Sequence, residues 1–229
     1  MASRLSPEEV RADHLNKLGP KLGAVFHALK NDVAWLQVKW AEYRELFGTS
    51  PQRIDILNKA AGLFSRIVQD ALWESVLLDL TRLTDPIEIG GKSNLTIAKL
   101  PELCDEPALG SEVSELVETA LKATKFARDW RNRRISHRDL MLAVDSAAKP
   151  LEPASRAQVS NAVRAIHSVL NHISEKVLDT TLGDQVITPA TGSVSLLHVL
   201  RDGLEADEAR SERILSGKFE AEDFDRRKI

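Results

Sequence analysis

Residues 125 to 139 read Lys-Phe-Ala-Arg-Asp-Trp-Arg-Asn-Arg-Arg-Ile-Ser-His-Arg-Asp, and no other stretch of the chain gathers residue types so suited to chemistry. Between 125 and 138 stand six Lys or Arg and one Asp, a net +5, so the rest of the chain carries −8 of a total of −3. A basic island on an otherwise acidic protein, interleaved with Phe126 and Trp130, suits a phosphate-bearing partner. Charge alone favours a solvated helix face. Arg131 adds geometry, because it continues a helical stripe made by Val113, Val117, Ala120, Thr124 and Ala127. A guanidinium on a core-facing stripe needs a carboxylate, a subunit interface or a wet cleft. His137 follows six residues later, about 9 Å along the axis and roughly 120° round an ideal helix. A helix that ends or distorts near Ser136 brings both side chains toward one cleft. The same residues also fit an Arg–Asp pair and a helix-terminal His facing the helix dipole.

The elements that must position this segment are helices. Leu22, Phe26, Leu29, Val33, Leu36, Trp40, Tyr43 and Phe47 alternate steps of four and three, an apolar seam expected to face the core. Gly48-Thr49-Ser50-Pro51 closes that helix and opens the next, with Ser50 as cap and Pro51 in the first turn. The second helix, to about Thr84, carries one stripe of Leu57, Ala61, Phe64, Val68 and Leu72. Trp73, Leu77 and Leu80 form another, to be sandwiched between neighbours or used in a subunit contact. A loop rich in Pro and Gly from Asp85 to Gly110 leaves room for a short helix near Leu95–Leu103. Ser111-Glu112 is expected to open a third long helix. Ser155 and Gln158 have capping-box spacing ahead of a fourth seam, Val159 to Val177. Leu196, Leu197, Leu200 and Leu204 mark a last apolar helical stripe, and the charge-rich stretch from Glu205 to Ile229 reads as a polar helix that frays into a tail. Strand-like alternation is confined to a short piece at Leu140–Val144. The expected fold is all-α: an antiparallel bundle of four to five long helices with a short C-terminal helical extension. Its divisions are a lead-in at 1–21, the bundle at 22–182 and the extension at 183–229.

Composition excludes several function classes. No apolar run reaches the roughly 18 residues of a membrane span, and the first nine residues lack the apolar core of a signal peptide. Cys104 is the single cysteine, so an intrachain disulfide and a Cys-built zinc site are excluded, and a reducing cytoplasm is the expected compartment. His167 and His172 stand five apart, off the spacing of helix-borne metal ligands, while His14, His27 and His198 are isolated. No phosphate-binding glycine loop, dinucleotide fingerprint or serine-hydrolase elbow occurs. Neither a metal nor an organic cofactor is expected.

Arg131-Asn132-Arg133-Arg134-Ile135-Ser136-His137 fits the pattern Arg, polar residue, four others, His. With a long helical hairpin ahead of it, the chain resembles the HEPN superfamily (higher eukaryotes and prokaryotes nucleotide-binding domains) over about Leu22 to Leu178. Ser136-His137-Arg138-Asp139, Arg82-Leu83-Thr84-Asp85 and Asn94-Leu95-Thr96 are similar to the branch associated with phage abortive infection. The resemblance implies a metal-independent endoribonuclease, working as a homodimer with both motifs on one cleft. It would be the effector of a phage-defence or toxin–antitoxin module, with a possible antitoxin protein encoded nearby. RNA brings its own nucleophile, the 2′-OH, so the protein supplies proton transfer and charge stabilisation. His137 would move the proton, Arg131 would hold the phosphate oxygens, and Asn132 would bond substrate or orient the motif. Lys125, Arg128, Arg133, Arg134 and Arg138 would contact RNA phosphates. Asp139, Arg82 and Asp85 are supporting candidates, although Arg82 and Asp85 at a helix end also suit a local ion pair. A non-catalytic HEPN-like module that binds RNA, nucleotide or a partner protein stays open beside the enzyme.

Overall fold

The computed structural model describes residues 6–184 and 191–224. The all-α expectation is borne out: the chain is a helical bundle, with one two-residue hairpin as its sheet among the described residues. The helices are α1 (Pro7–Leu18), α2 (Pro20–Phe47), α3 (Pro51–Leu83), α4 (Leu100–Leu103), α5 (Pro107–Ala123), α6 (Lys125–Trp130), α7 (Leu140–Val144), α8 (Arg156–Val177) and α9 (Ser193–Leu215). Strands β1 (Glu88–Ile89) and β2 (Lys92–Ser93) pair antiparallel across Gly90-Gly91, both at positive φ. The two glycines serve the tight hairpin turn because they adopt that backbone without a Cβ penalty. Among the described residues no helix is long and apolar enough to cross a membrane.

The chain forms two compact units, Met1–Trp40 with Leu72–Ile187, and Ala41–Ala71 with Thr188–Ile229. In the first, the α2 seam from Leu22 through Trp40 is buried, as its spacing requires. Trp40 donates its indole N–H to Ser160 of α8 at 3.1 Å, and its ring lies 6.2 Å from that of Trp73. α5 and α8 pack antiparallel. Glu112 in the second turn of α5 meets His172 (2.7 Å) and Lys176 (3.7 Å) near the end of α8. Their facing stripes, Val113, Val117 and Ala120 against Val159, Val163, Ile166, Leu170 and Ile173, are buried. α1 lies close against α2 at Gly23, where an added Cβ would come within 2.4 Å of the His14 carbonyl oxygen. His14 and His27, isolated in the sequence, pair there through their Nδ1 atoms at 3.1 Å. Burial of His14 lowers its pKa to about 4.

The second unit holds the tip of the α2–α3 hairpin and α9. Arg53 donates to the Glu45 carbonyl at 2.8 Å and pairs with its carboxylate. Glu42 accepts the Ser193 N–H at 2.7 Å, satisfying one of the open donors at the start of α9. That helix begins before its leucines and runs past Leu204 into the charged stretch, to Leu215.

Three expectations are corrected, and one open alternative is decided. Ala61 leaves helical geometry (φ −161°, ψ 62°), which breaks the phase of α3. Leu57 stays buried, but Phe64 is 64% exposed beside Leu63 and Ile67. Leu77 and Leu80 are fully buried within the chain, which is the sandwiched alternative of the two that the sequence left open. α5 begins at Pro107 rather than Ser111, with proline in its first turn. Leu140–Val144 is helix α7, capped by the Asp139 carboxylate on the Leu142 N–H, not an extended piece.

Candidate functional site

α5 and α6 keep one face across a slight break at Thr124, whose φ and ψ of −97° and 0° leave Ala120, Thr124 and Ala127 all buried. The stripe therefore delivers Arg131 toward the end of α3. There the buried hydroxyls of Thr84 and Thr124 lie 3.2 Å apart, and Thr96 donates to the Leu83 carbonyl at 3.0 Å. Together they pin the chain where it leaves α3, which fixes Asp85. Asp85 accepts from Arg128 Nη1 at 2.7 Å and from Arg131 Nη1 at 2.9 and 3.2 Å. Arg128 also donates to the Thr84 carbonyl at 2.8 Å. Asn132 Oδ1 accepts from Arg131 Nε at 3.0 Å. Among the described residues nothing bonds Arg131 Nη2. One carboxylate thus serves two guanidiniums, and a positive charge is left over.

From Arg131 to Ile135 the helix widens, and Ser136 donates to the Arg131 carbonyl five residues back at 2.8 Å. Such π turns recur at functional sites because they re-aim side chains away from the regular helical face. The helix ends directly afterwards, and His137 is exposed with no hydrogen bond or ion pair among the described residues. The helix thus distorts and ends near Ser136, the condition under which both side chains could turn toward one cleft. No hydrogen bond joins His137 to Arg131 within one chain.

The basic residues separate into three groups. Arg128 and Arg133 are internally engaged. Arg133 reaches Asp139 at 3.1 Å, Asp129 at 3.7 Å and the Lys149 carbonyl at 2.7 Å. Its hydrogen bond to Asp139 holds that carboxyl below the usual range, helped by the Leu142 N–H. Arg134 lies over the Trp130 ring at 5.8 Å, and Trp130 is itself fixed by the Glu152 carbonyl at 2.8 Å. Arg134 and Arg138 are exposed and line one cavity of about 380 Å³ with Arg133, Asp139 and Glu74. Lys125 lines a different cavity, beside Lys122 and Glu152. Arg82 does not pair with Asp85. It touches Asp79 at 3.4 Å, while both Arg82 and Asp85 border a cavity of about 340 Å³ with Asp32, Trp35 and Asn94.

Sequence reasoning missed Thr84, Thr124 and Arg128 as the parts that hold Asp85 and Arg131 in place. Hydroxyls packed between helices leave no spacing signal. Among the described residues, no three His, Cys, Asp or Glu side chains converge where they could hold a metal ion.

No curated protein and no solved structure matches the chain. The model of the HEPN AbiU2 family, an abortive-infection-associated group, matches residues 19–191, a span that holds Asp85, the Arg131–His137 motif and all three cavities. With most of its length and the whole candidate site inside that match, the chain belongs to the AbiU2 family of HEPN domains.

Proposed function

We propose that this protein is a metal-independent endoribonuclease, the RNA-cleaving effector of a phage-defence or toxin–antitoxin module, acting as a homodimer in the cytoplasm. The observation that carries the reading is Arg131, braced by Asp85 and Asn132 with Nη2 open, six residues ahead of an unpartnered, exposed His137. In this reading Arg131 Nη2 donates to a non-bridging phosphate oxygen as negative charge builds there. One His137 takes the 2′-OH proton while the oxygen attacks phosphorus. The bond to the 5′-oxygen breaks, and that oxygen takes a proton from a second imidazole. The products are a 2′,3′-cyclic phosphate and a 5′-hydroxyl. One imidazole cannot easily be base and acid at once, so two copies of the chain supply the pair. Arg134, Arg138 and Lys125 meet flanking phosphates, while Arg128 and Arg133 keep the scaffold in place. An antitoxin protein encoded nearby would restrain the enzyme.

Incubation of the purified protein with RNA in EDTA tests this. Cleavage is expected to persist, to stop when the 2′-OH at the cut is replaced by hydrogen, and to fall about 10²- to 10⁴-fold in His137→Ala. Arg131→Lys should not recover full activity, because an ammonium lacks the planar fork. Full activity of His137→Ala, or cutting of the deoxy-substituted strand, overturns the enzyme. RNA affinity retained without cleavage in the wild type supports the binding module instead.

A further inference from the structure

The cavity beside Asp85 contains side chains that RNA cleavage does not use. On α2, Asp32, Trp35 and Lys39 repeat at three and four residues and share one face. Lys39 is satisfied: it pairs with Asp79 and donates to Ser75 Oγ at 3.1 Å. Three neighbours are not. Trp35 is 67% exposed although Val33 and Leu36 beside it are buried, so its ring stands in water at the mouth of a polar cavity. Asp32 is half-buried and has no hydrogen bond or ion pair among the described residues. Arg82 is exposed and held only by the 3.4 Å contact to Asp79, which leaves most of its fork open. Across from them Asn94 is fixed, its backbone N–H on the Ile87 carbonyl and its Nδ2 on the Pro86 carbonyl, both at 2.8 Å. Its Oδ1 remains as an acceptor.

We propose that this cavity is a guanine-binding subsite. Exposed tryptophan offers a stacking platform for any base, and the polar groups decide which one. A carboxylate accepts two parallel hydrogen bonds, and guanine carries adjacent N1–H and N2–H donors to fill it. Adenine and cytosine each set an acceptor nitrogen beside their amine, and uracil flanks its single N–H with two carbonyls. All three place a lone pair against the Asp32 carboxylate. Guanine's O6 and N7 are the pair that an arginine fork takes, the role open to Arg82. The volume of about 340 Å³ lies in the range of small-ligand sites. Asp85 borders the cavity and also grips Arg131, so a guanine held here has its sugar and phosphate close to the motif. Its use as a cleavage-site selector rests on the ribonuclease reading. Guanine binding itself does not.

The full-length protein is titrated by calorimetry with GMP, AMP, CMP and UMP. It is then titrated with short oligonucleotides lacking 2′-OH groups, with and without guanine. GMP, or the guanine-containing strand, is expected to bind at least about 10-fold tighter than its counterparts. Trp35→Ala should weaken every ligand by about 5- to 150-fold without moving the melting temperature, because the ring is exposed. Asp32→Asn should remove the guanine preference while stacking persists. Preference in the strand alone identifies a base of RNA as the occupant. GMP binding as tight as the strand identifies a free nucleotide. Equal affinity for all four bases, or no effect of either substitution, overturns the proposal. Guanine preference in a protein that cuts nothing would sink the ribonuclease and leave this site intact, while cutting by a protein that binds all four bases equally would sink this site and leave the ribonuclease intact.

Discussion

Replacing Asp85 by alanine leaves the guanidiniums of Arg128 and Arg131 side by side with no carboxylate between them. Asp85 is 13% exposed and accepts at 2.7, 2.9 and 3.2 Å, while the two arginines keep 32% and 24% of their side chains in solvent. Removing one partner of a fully buried ion pair costs about 3–5 kcal/mol. Water reaches both arginines here and screens their repulsion, so the expected loss is ~1–3 kcal/mol. For a protein of this size each kcal/mol shifts Tm by about 2–4 °C, which predicts a fall of roughly 2–12 °C by circular dichroism. Asp85→Asn retains an acceptor oxygen and should fall less. The charge argument makes a second, sharper demand. An oxyanion added to Asp85→Ala occupies the place of the lost carboxylate, so sulfate or phosphate should raise the Tm of the variant more than that of the wild type. Unchanged stability would refute the bridging role of Asp85. Equal anion response in both proteins would refute the surplus charge.

Two further outcomes concern the scaffold. His14 has its pKa lowered from 6.5 to about 4, chiefly by burial, with Lys30 and His27 of α2 and Lys17 of α1 acting in the same direction and Asp13 against it. The unfolded chain therefore takes up a proton between pH 6.5 and 4 that the folded chain refuses. This contribution is intact above pH 6.5 and drains as pH falls through that window, by up to ~3 kcal/mol. Thermal melts from pH 7 to 4.5 should show this slope, and His14→Leu should flatten it; identical slopes would dismiss His14 as the source. Gly23→Ala sets helix propensity, worth up to about 1 kcal/mol in favour of alanine, against a Cβ within 2.4 Å of backbone. The clash should win, costing ~1–3 kcal/mol and speeding amide exchange in α1. A stabilised variant would mean that α1 can move away at no cost.

The long seams were legible because burial along a regular helix repeats every three to four residues, and that period is written in Leu22 to Tyr43 and again in Val159 to Ile173. It failed at Ala61. One non-helical residue resets the phase, and nothing in Lys-Ala-Ala-Gly-Leu announces which of the four bonds turns. The Gly-Gly hairpin had its turn signal in plain sight, but strands of two residues carry no alternation to accompany it. The inward heading of Arg131 followed from its stripe, and the structure supplies its partner, Asp85, from 46 residues away. Such a pairing depends on how α3 ends against α6, a tertiary fact with no local pattern. Trp35 escaped notice for the opposite reason. It lies one residue from the buried seam on α2, and only the fold reveals that its face is uncovered.

In the proposed function the arrangement around Asp85 is a working anion site and not a structural tie, for reasons of charge and access. A carboxylate that serves only to anchor one helix needs a single arginine, with the remaining donors directed at backbone. Arg128 fits that description, since it spans Asp85 and the Thr84 carbonyl. Arg131 does not. It shares the same carboxylate, adds a second positive charge, and fixes its plane through Asn132 instead of through the chain it docks against. The π turn begins at this residue, so the main chain starts to diverge where the guanidinium is clamped. A clamp with one nitrogen open, a surplus charge and a flanking exposed imidazole costs stability when empty. An arriving phosphate supplies both the missing hydrogen bond and the missing charge. Hence the linkage between anion binding and stability at Asp85 and the rate loss in Arg131→Lys should move together. A variant that kept full cleavage after losing its anion response would separate the two roles and place the phosphate elsewhere.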